Sequence, residues 1–327
     1  MRILRNLSFW IAVGVVVLII AYGATGGAIR RETWFTVLLF VGLASSLNIL
    51  LGYTGYVSFG HIVFFGFGGY IGFWAIDTLG MNLWLAALLG GLVSALLALG
   101  LGLAILRLRG AYFALATIGI LEAMKALVIN IPALGGPNGM ELNFSVYRGY
   151  GGPATALWMV YWSVAAIALI VVITSYIVKK SKFGLGLMAI REDEDAAEIM
   201  GVVAPRAKTW AYVISAFFPG ILGVLFFFKQ GIIEPGSAFR LQLSIEMLVM
   251  VMLGGSGTVL GPILGAGAYQ ILRGTLLTSD LELLGMKVKD IQLAVAGVLL
   301  LIIVLFIPVG AIGWLRTRSA TLRRILE

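Results

Sequence analysis

Long apolar runs separated by short polar stretches dominate this chain, and their lengths are those of membrane helices. A helix needs roughly 20 mainly apolar residues to cross a bilayer. On that measure ten segments are predicted, at 9–28, 34–51, 56–78, 83–106, 111–131, 154–178, 209–228, 242–256, 260–277 and 291–309. Glycines interrupt the third, and the eighth is short for a full span. The pattern reads as one all-α integral membrane domain over residues 1–327, with about ten membrane helices, some broken or re-entrant. A single long charged stretch stands out from it, residues 179–208, KKSKFGLGLMAIREDEDAAEIMGVVAPRAK. Within that stretch LGLMAIREDEDAAEIM is predicted to form one helix, with Gly201 as its stop.

Composition agrees with the pattern. Of 327 residues 61% are hydrophobic and 12% charged, about half the charge fraction of an ordinary soluble domain. The formal charge of +8 is spread over the short loops, so it reports orientation in a bilayer and not affinity for nucleic acid. With the N-terminus inside, the inner loops hold 14 Lys and Arg and the outer loops 7. Both termini and residues 179–208 are therefore expected in the cytoplasm, although Arg30 and Arg31 run against the rule. The N-terminal MRILRNLSFWIAVGVVVLIIAY has the basic start of a signal peptide. It lacks a convincing cleavage site and reads as a first span. Residues 132–153, with GGPNG, form a turn-like outer loop, either a plain connector or a docking surface for an extracytoplasmic partner.

Chemistry is sparse. There is no cysteine and one histidine, His61, which excludes disulfides, thiolate sites and a histidine cluster, so no metal is expected. No G-x-x-x-x-G-K-[ST] and no G-x-S-x-G occurs, so ATP-driven work would need another subunit and no cofactor is expected on this chain. Glu122 and Lys125 lie one turn apart in the fifth segment, as an internal ion pair or as the lining of a polar path for a zwitterion. Glu246 lies about a turn inside the eighth segment, within reach of water. His61 reads as a hydrogen-bonded packing residue before a proton carrier. Gly52, Gly55 and Gly60, and Gly254, Gly255, Gly257 and Gly261, have two readings. They permit close helix packing, or they mark unwound backbone near a translocation path. The stretches around them, LGYTGYVSFGHIVFFGFGGYI and LGGSGTVLGPILGAGAYQI, resemble each other weakly, as internal repeats of transporters do.

The centre of the charged stretch, Arg191, Glu192, Asp193, Glu194 and Asp195, precedes the small Ala196 and Ala197, which permit close approach of a partner. Asp195-Ala196-Ala197-x-x-x-Gly201 resembles the E-A-A-x-x-x-G signature of ABC-importer permeases, with Asp in place of Glu and no I-x-L-P after it. The wider match is more specific. AIREDEDAAEIMGV, AYVISAFFPGILGVLFF, SIEMLVMVMLGGSGTVLGPILGA and SLNILLGYTGYVSFGH resemble branched-chain amino acid permeases, nearer the LivM-type subunit than its shorter companion, from about residue 46 to 308. The resemblance implies an ABC-importer permease fold in the inner membrane and a coupling helix at 191–201. It also implies a second permease subunit, two cytoplasmic ATPases that carry ATP and Mg, and an extracytoplasmic solute-binding protein. Rival readings are a relative carrying urea, amides or other amino acids, an ion-driven secondary transporter, and a passive channel.

Overall fold

The structure is a computed structural model that describes residues 7–278 and the short pieces 282–283, 286–287, 298 and 310–313. Apart from position 298, the expected tenth segment lies outside the described residues. The other nine each coincide with a helix: α1 (Leu7–Ala24), α2 (Ala28–Thr54), α3 (Ile62–Leu79), α4 (Leu83–Ile105), α5 (Ala111–Ile129), α7 (Pro153–Lys180), α10 (Ala204–Gln230), α12 (Leu241–Gly254) and α13 (Leu260–Thr278). Short helices α6 (Ser145–Arg148), α8 (Lys182–Glu192), α9 (Glu194–Ile199) and α11 (Pro235–Ala238) fill the connections. Among the described residues, eight stretches are long and apolar enough to cross a membrane: α1 to α5, α7, α10, and the run from α11 through α12. The chain is an all-α, multi-pass membrane protein.

The largest differences from expectation lie at two boundaries. α2 starts at Ala28 and not at 34, because Arg30, Arg31 and Glu32 are good helix formers whose heads reach local partners. The Arg31 guanidinium stacks 3.6 Å above the Trp158 ring and Arg30 lies 5.0 Å from Tyr22, while Glu32 pairs with Lys229. Both arginines thus rest against aromatic rings at the start of α2. The third segment begins at Ile62 instead of 56, since residues 55–61 are unwound.

α2 is the axis of the bundle. From Val37 to Thr54 every residue is buried, and α1, α7, α10, α12 and α13 pack around it. Beside it α3, α4 and α10 form a wedge closed by small residues. A β-carbon on Gly68 would stand 2.6 Å from the Gly220 Cα and 2.7 Å from the Gly90 carbonyl oxygen, so only glycine permits this approach. Inside the wedge the Ser94 hydroxyl donates to the Phe64 carbonyl at 2.8 Å. At one end of the bundle β1 (Met140–Glu141) pairs antiparallel with β2 (Ile232–Ile233), tying the GGPNG loop to the turn after α10.

Candidate functional site

At the other end lies the charged stretch. It forms two helices and not the single one expected. Asp193 is extended (φ −157, ψ 114) and its Oδ1 accepts from the Ala196 N–H at 2.9 Å. Asp competes for backbone donors in this way, so it caps a new helix instead of continuing the old one. Ser181 caps α8 likewise, accepting from the Gly184 N–H at 3.0 Å. Gly201, at φ +91, ends the hairpin in the left-handed region, where glycine carries no Cβ penalty.

The charges of the hairpin divide into two sets. Asp195, Glu198, Ile199 and Met200 point away from the bundle, and Ile199 and Met200 are 87% and 84% exposed. Glu194 points inward. Its carboxylate accepts from Lys208 Nζ at 2.6 Å and from the Tyr56 hydroxyl at 2.8 Å, and Lys208 also donates to the Tyr56 oxygen at 2.8 Å. Lys208 is only 1% exposed, so this carboxylate is what makes its burial tolerable. Arg109, from the α4–α5 turn, reaches Asp195 at 2.9 Å and Glu194 at 3.5 Å. The Asp195 hydrogen bond and the nearby Glu194 charge push its pKa up further.

Arg191 is an exposed residue whose tip also reaches the bundle. Its Nη1 donates to the Gly52 carbonyl oxygen at 2.7 Å, in the last turn of α2, and its side chain lies against Gly55 and Gly257. Gly55 and Gly257 sit at the two unwound stretches, 55–61 between α2 and α3 and 255–259 between α12 and α13. Asn48 joins the stretches from α2. Its Nδ2 donates to the Thr258 carbonyl at 3.0 Å and its Oδ1 accepts from the Gly257 N–H at 2.9 Å. Gly257 is at φ +76, a conformation that a side chain would strain. The glycines named from sequence at 52, 55 and 257 thus meet in one junction. Gly254, Gly255 and Gly261 pack on one another beside it.

The remaining candidates lie elsewhere. Gly60 presses on the Thr117 backbone of α5. His61 is fully buried, and its Nε2 lies 3.2 Å from the Ser215 carbonyl oxygen. Pro219, four residues on in α10, has no N–H to offer that carbonyl, and the imidazole takes its place. Glu122 and Lys125 make no ion pair: Glu122 is exposed on the outer face of α5, and no contact joins it to Lys125. Packing of α5 on α3 and α11 uses the opposite face of the helix, so nothing turns the two charges inward. Glu246 does not reach water. It is 2% exposed and accepts from Gln242 at 2.9 Å and Arg273 at 3.3 Å, because α13 brings its arginine across to α12. Sequence reasoning missed Asn48, Tyr56, Arg109 and Lys208. A lone Asn inside a 27-residue apolar helix was the one available signal.

Fold and junction together define a polytopic helical membrane protein whose charged hairpin is tied to two helix breaks. The comparisons make the class specific. Residues 31–304 match the model of the branched-chain amino acid transport system / permease component family, and the chain belongs to that family. It is 31% identical over 285 residues, 79% of its length, to the high-affinity branched-chain amino acid transport system permease protein LivM of Salmonella typhimurium. It is 26% identical over 330 residues, 85% of its length and 91% of the relative's, to a probable LivM of Methanocaldococcus jannaschii. Similarity extends to the ribose import permease RbsC of Bacillus subtilis, 29% identical over 51% of this chain and 50% of RbsC. The chain spans 65% of the length of the Salmonella relative and 59% of the Escherichia coli one. No solved structure matches.

Proposed function

We propose that the chain, as a single permease domain over residues 1–327, is a membrane subunit of an ATP-driven importer of branched-chain amino acids. The observation that carries this reading is the hairpin. Its outer surface offers Asp195, Glu198, Ile199 and Met200 to a partner, while Arg191 and Glu194 bind it to the bundle. In this reading two ATPases hold ATP and Mg and grip the outer surface of α9, and both termini lie on their side. A second permease subunit pairs with this one, and a binding protein delivers solute at the opposite end. Solute passes along the break at Gly60 and His61 and the α5 face that carries Glu122 and Lys125. Glu192 and Asp193 shape the turn, and Ala196 permits close approach of the partner, whereas Ala197, expected beside it, is buried against the bundle with Ile49 and Tyr53.

The test is charge reversal on the outer surface. Asp195→Lys combined with Met200→Asp is expected to leave the chain inserted but to lose co-purification with the ATPases and ATP-dependent leucine uptake. Normal assembly and uptake in that variant overturn the coupling assignment. Uptake by the chain alone that collapses with an ion gradient identifies a secondary transporter instead.

A further inference from the structure

We propose that Arg191 is the positioning residue through which movement of the hairpin reaches both helix breaks at once. The inference rests on the importer reading above and goes beyond it by naming the one side chain that joins the ATPase-facing element to the two unwound stretches.

Three observations converge on this residue. First, Nη1 donates to the Gly52 carbonyl oxygen at 2.7 Å, in the final turn of α2. Second, the same side chain is the nearest neighbour of both break glycines. A β-carbon on Gly257 would stand 2.6 Å from Nη1, and one on Gly55 would stand 3.3 Å from Cγ. Third, neither α2 nor α12 carries a basic residue in its own last turn. Both end with their carbonyl dipoles toward this junction, and a cation there is favourable. Arg191 supplies that cation to both helix ends from a third element.

The placement has a mechanical consequence. α8 carries Arg191 and continues through Asp193 into α9, whose Glu194 is held by Lys208 and Tyr56. Only Glu192 and Asp193 separate Arg191 from Glu194, so a shift of α9 pulls on Arg191 through two residues of chain. Asn48 bridges α2 to residues 257 and 258 at 2.9 and 3.0 Å, so the two breaks are linked to each other as well as to Arg191. Whatever moves the hairpin changes the environment of both breaks together. A ligand-driven change needs such differential contacts between two states.

The experiment uses the whole transporter, permease pair with ATPases, in vesicles, and reads leucine imported per ATP hydrolysed, with thermal stability measured in parallel. Arg191→Ala and Arg191→Gln are compared with Arg107→Ala, an exposed arginine outside the junction. The expected result is retained assembly and hydrolysis with import per ATP lowered about tenfold or more, the loss of one charge-assisted hydrogen bond in equilibrium terms. Arg191→Gln, which keeps a neutral donor, should fall between Arg191→Ala and the native chain. Unchanged import per ATP in both variants overturns the proposal. So does a parallel fall of stability, hydrolysis and import in both, which is what a purely structural pin would produce. A native complex that holds no ATPase, or imports without ATP, overturns the importer reading itself and is recognised before any variant is made.

Discussion

The wedge of α3, α4 and α10 and the junction beneath the hairpin are both tightly packed, yet they are held together in opposite ways. The wedge is closed by backbone against backbone at Gly68, Gly90 and Gly220, with Ser94 as its one internal hydroxyl tie. Its cohesion is dispersion summed over many small contacts at close-packed density. The junction is held by a handful of polar bonds from Asn48, Tyr56, Arg191, Glu194 and Lys208. Such bonds can be released and remade elsewhere. The difference separates contacts that lock backbone against backbone from bonds that another polar partner can replace, and it falls where the hairpin meets the bundle.

Substitutions can break or sharpen this contrast. The largest effect is expected at the junction's most buried charge. Glu194→Ala leaves Lys208 in the interior without its carboxylate, a loss of about 3–5 kcal/mol. A large drop in melting temperature of the detergent-solubilised protein checks it, and an unchanged melt would show that Lys208 finds another partner. Next comes the wedge. Gly220→Val places a side chain 2.7 Å from the Ser94 Cβ, which overpacks the contact by about 1–3 kcal/mol. Stability and import should fall together here, with import per ATP unchanged, in contrast to Arg191 variants. The smallest effect is expected at Asp195→Asn. Its ion pair with Arg109 is 72% exposed on the aspartate side and 53% on the arginine side, so water screens it and the loss is small. A melt shifted as far as that of Glu194→Ala would erase the distinction between the inner and outer sets of hairpin charges.

Much of the fold was legible because bilayer crossing imposes length and composition together. Each expected segment within the described residues found a helix. The glycine-rich stretches around 52–60 and 254–261 announced breaks, since a turn composition inside an apolar run has few other uses. Pairings were not legible. Glu122 and Lys125 have the spacing of an ion pair, but spacing does not say which face of α5 meets the bundle. Glu246 looked near the surface because its partner, Arg273, is 27 residues away and only the α12–α13 packing brings it in. The break at Asp193 was hidden for a different reason. An Asp within a helix-forming run is compatible with both a continued helix and a cap, and the bonds of the flanking Arg191 and Glu194 to the bundle favour the cap.

What the sequence determined alone was local and solvent-driven: the helices, their apolar lengths, the charged stretch and its stop at Gly201. Each follows from the fate of backbone polar groups and apolar surface in a bilayer, which a chain carries in its own composition. The tertiary structure decided which charges face in and which face out, that His61 answers the carbonyl freed by Pro219, and that Asn48 and Arg191 gather two distant breaks into one junction. Those outcomes depend on directional bonds between residues as much as 210 positions apart, and such bonds exist only once packing has fixed the distances.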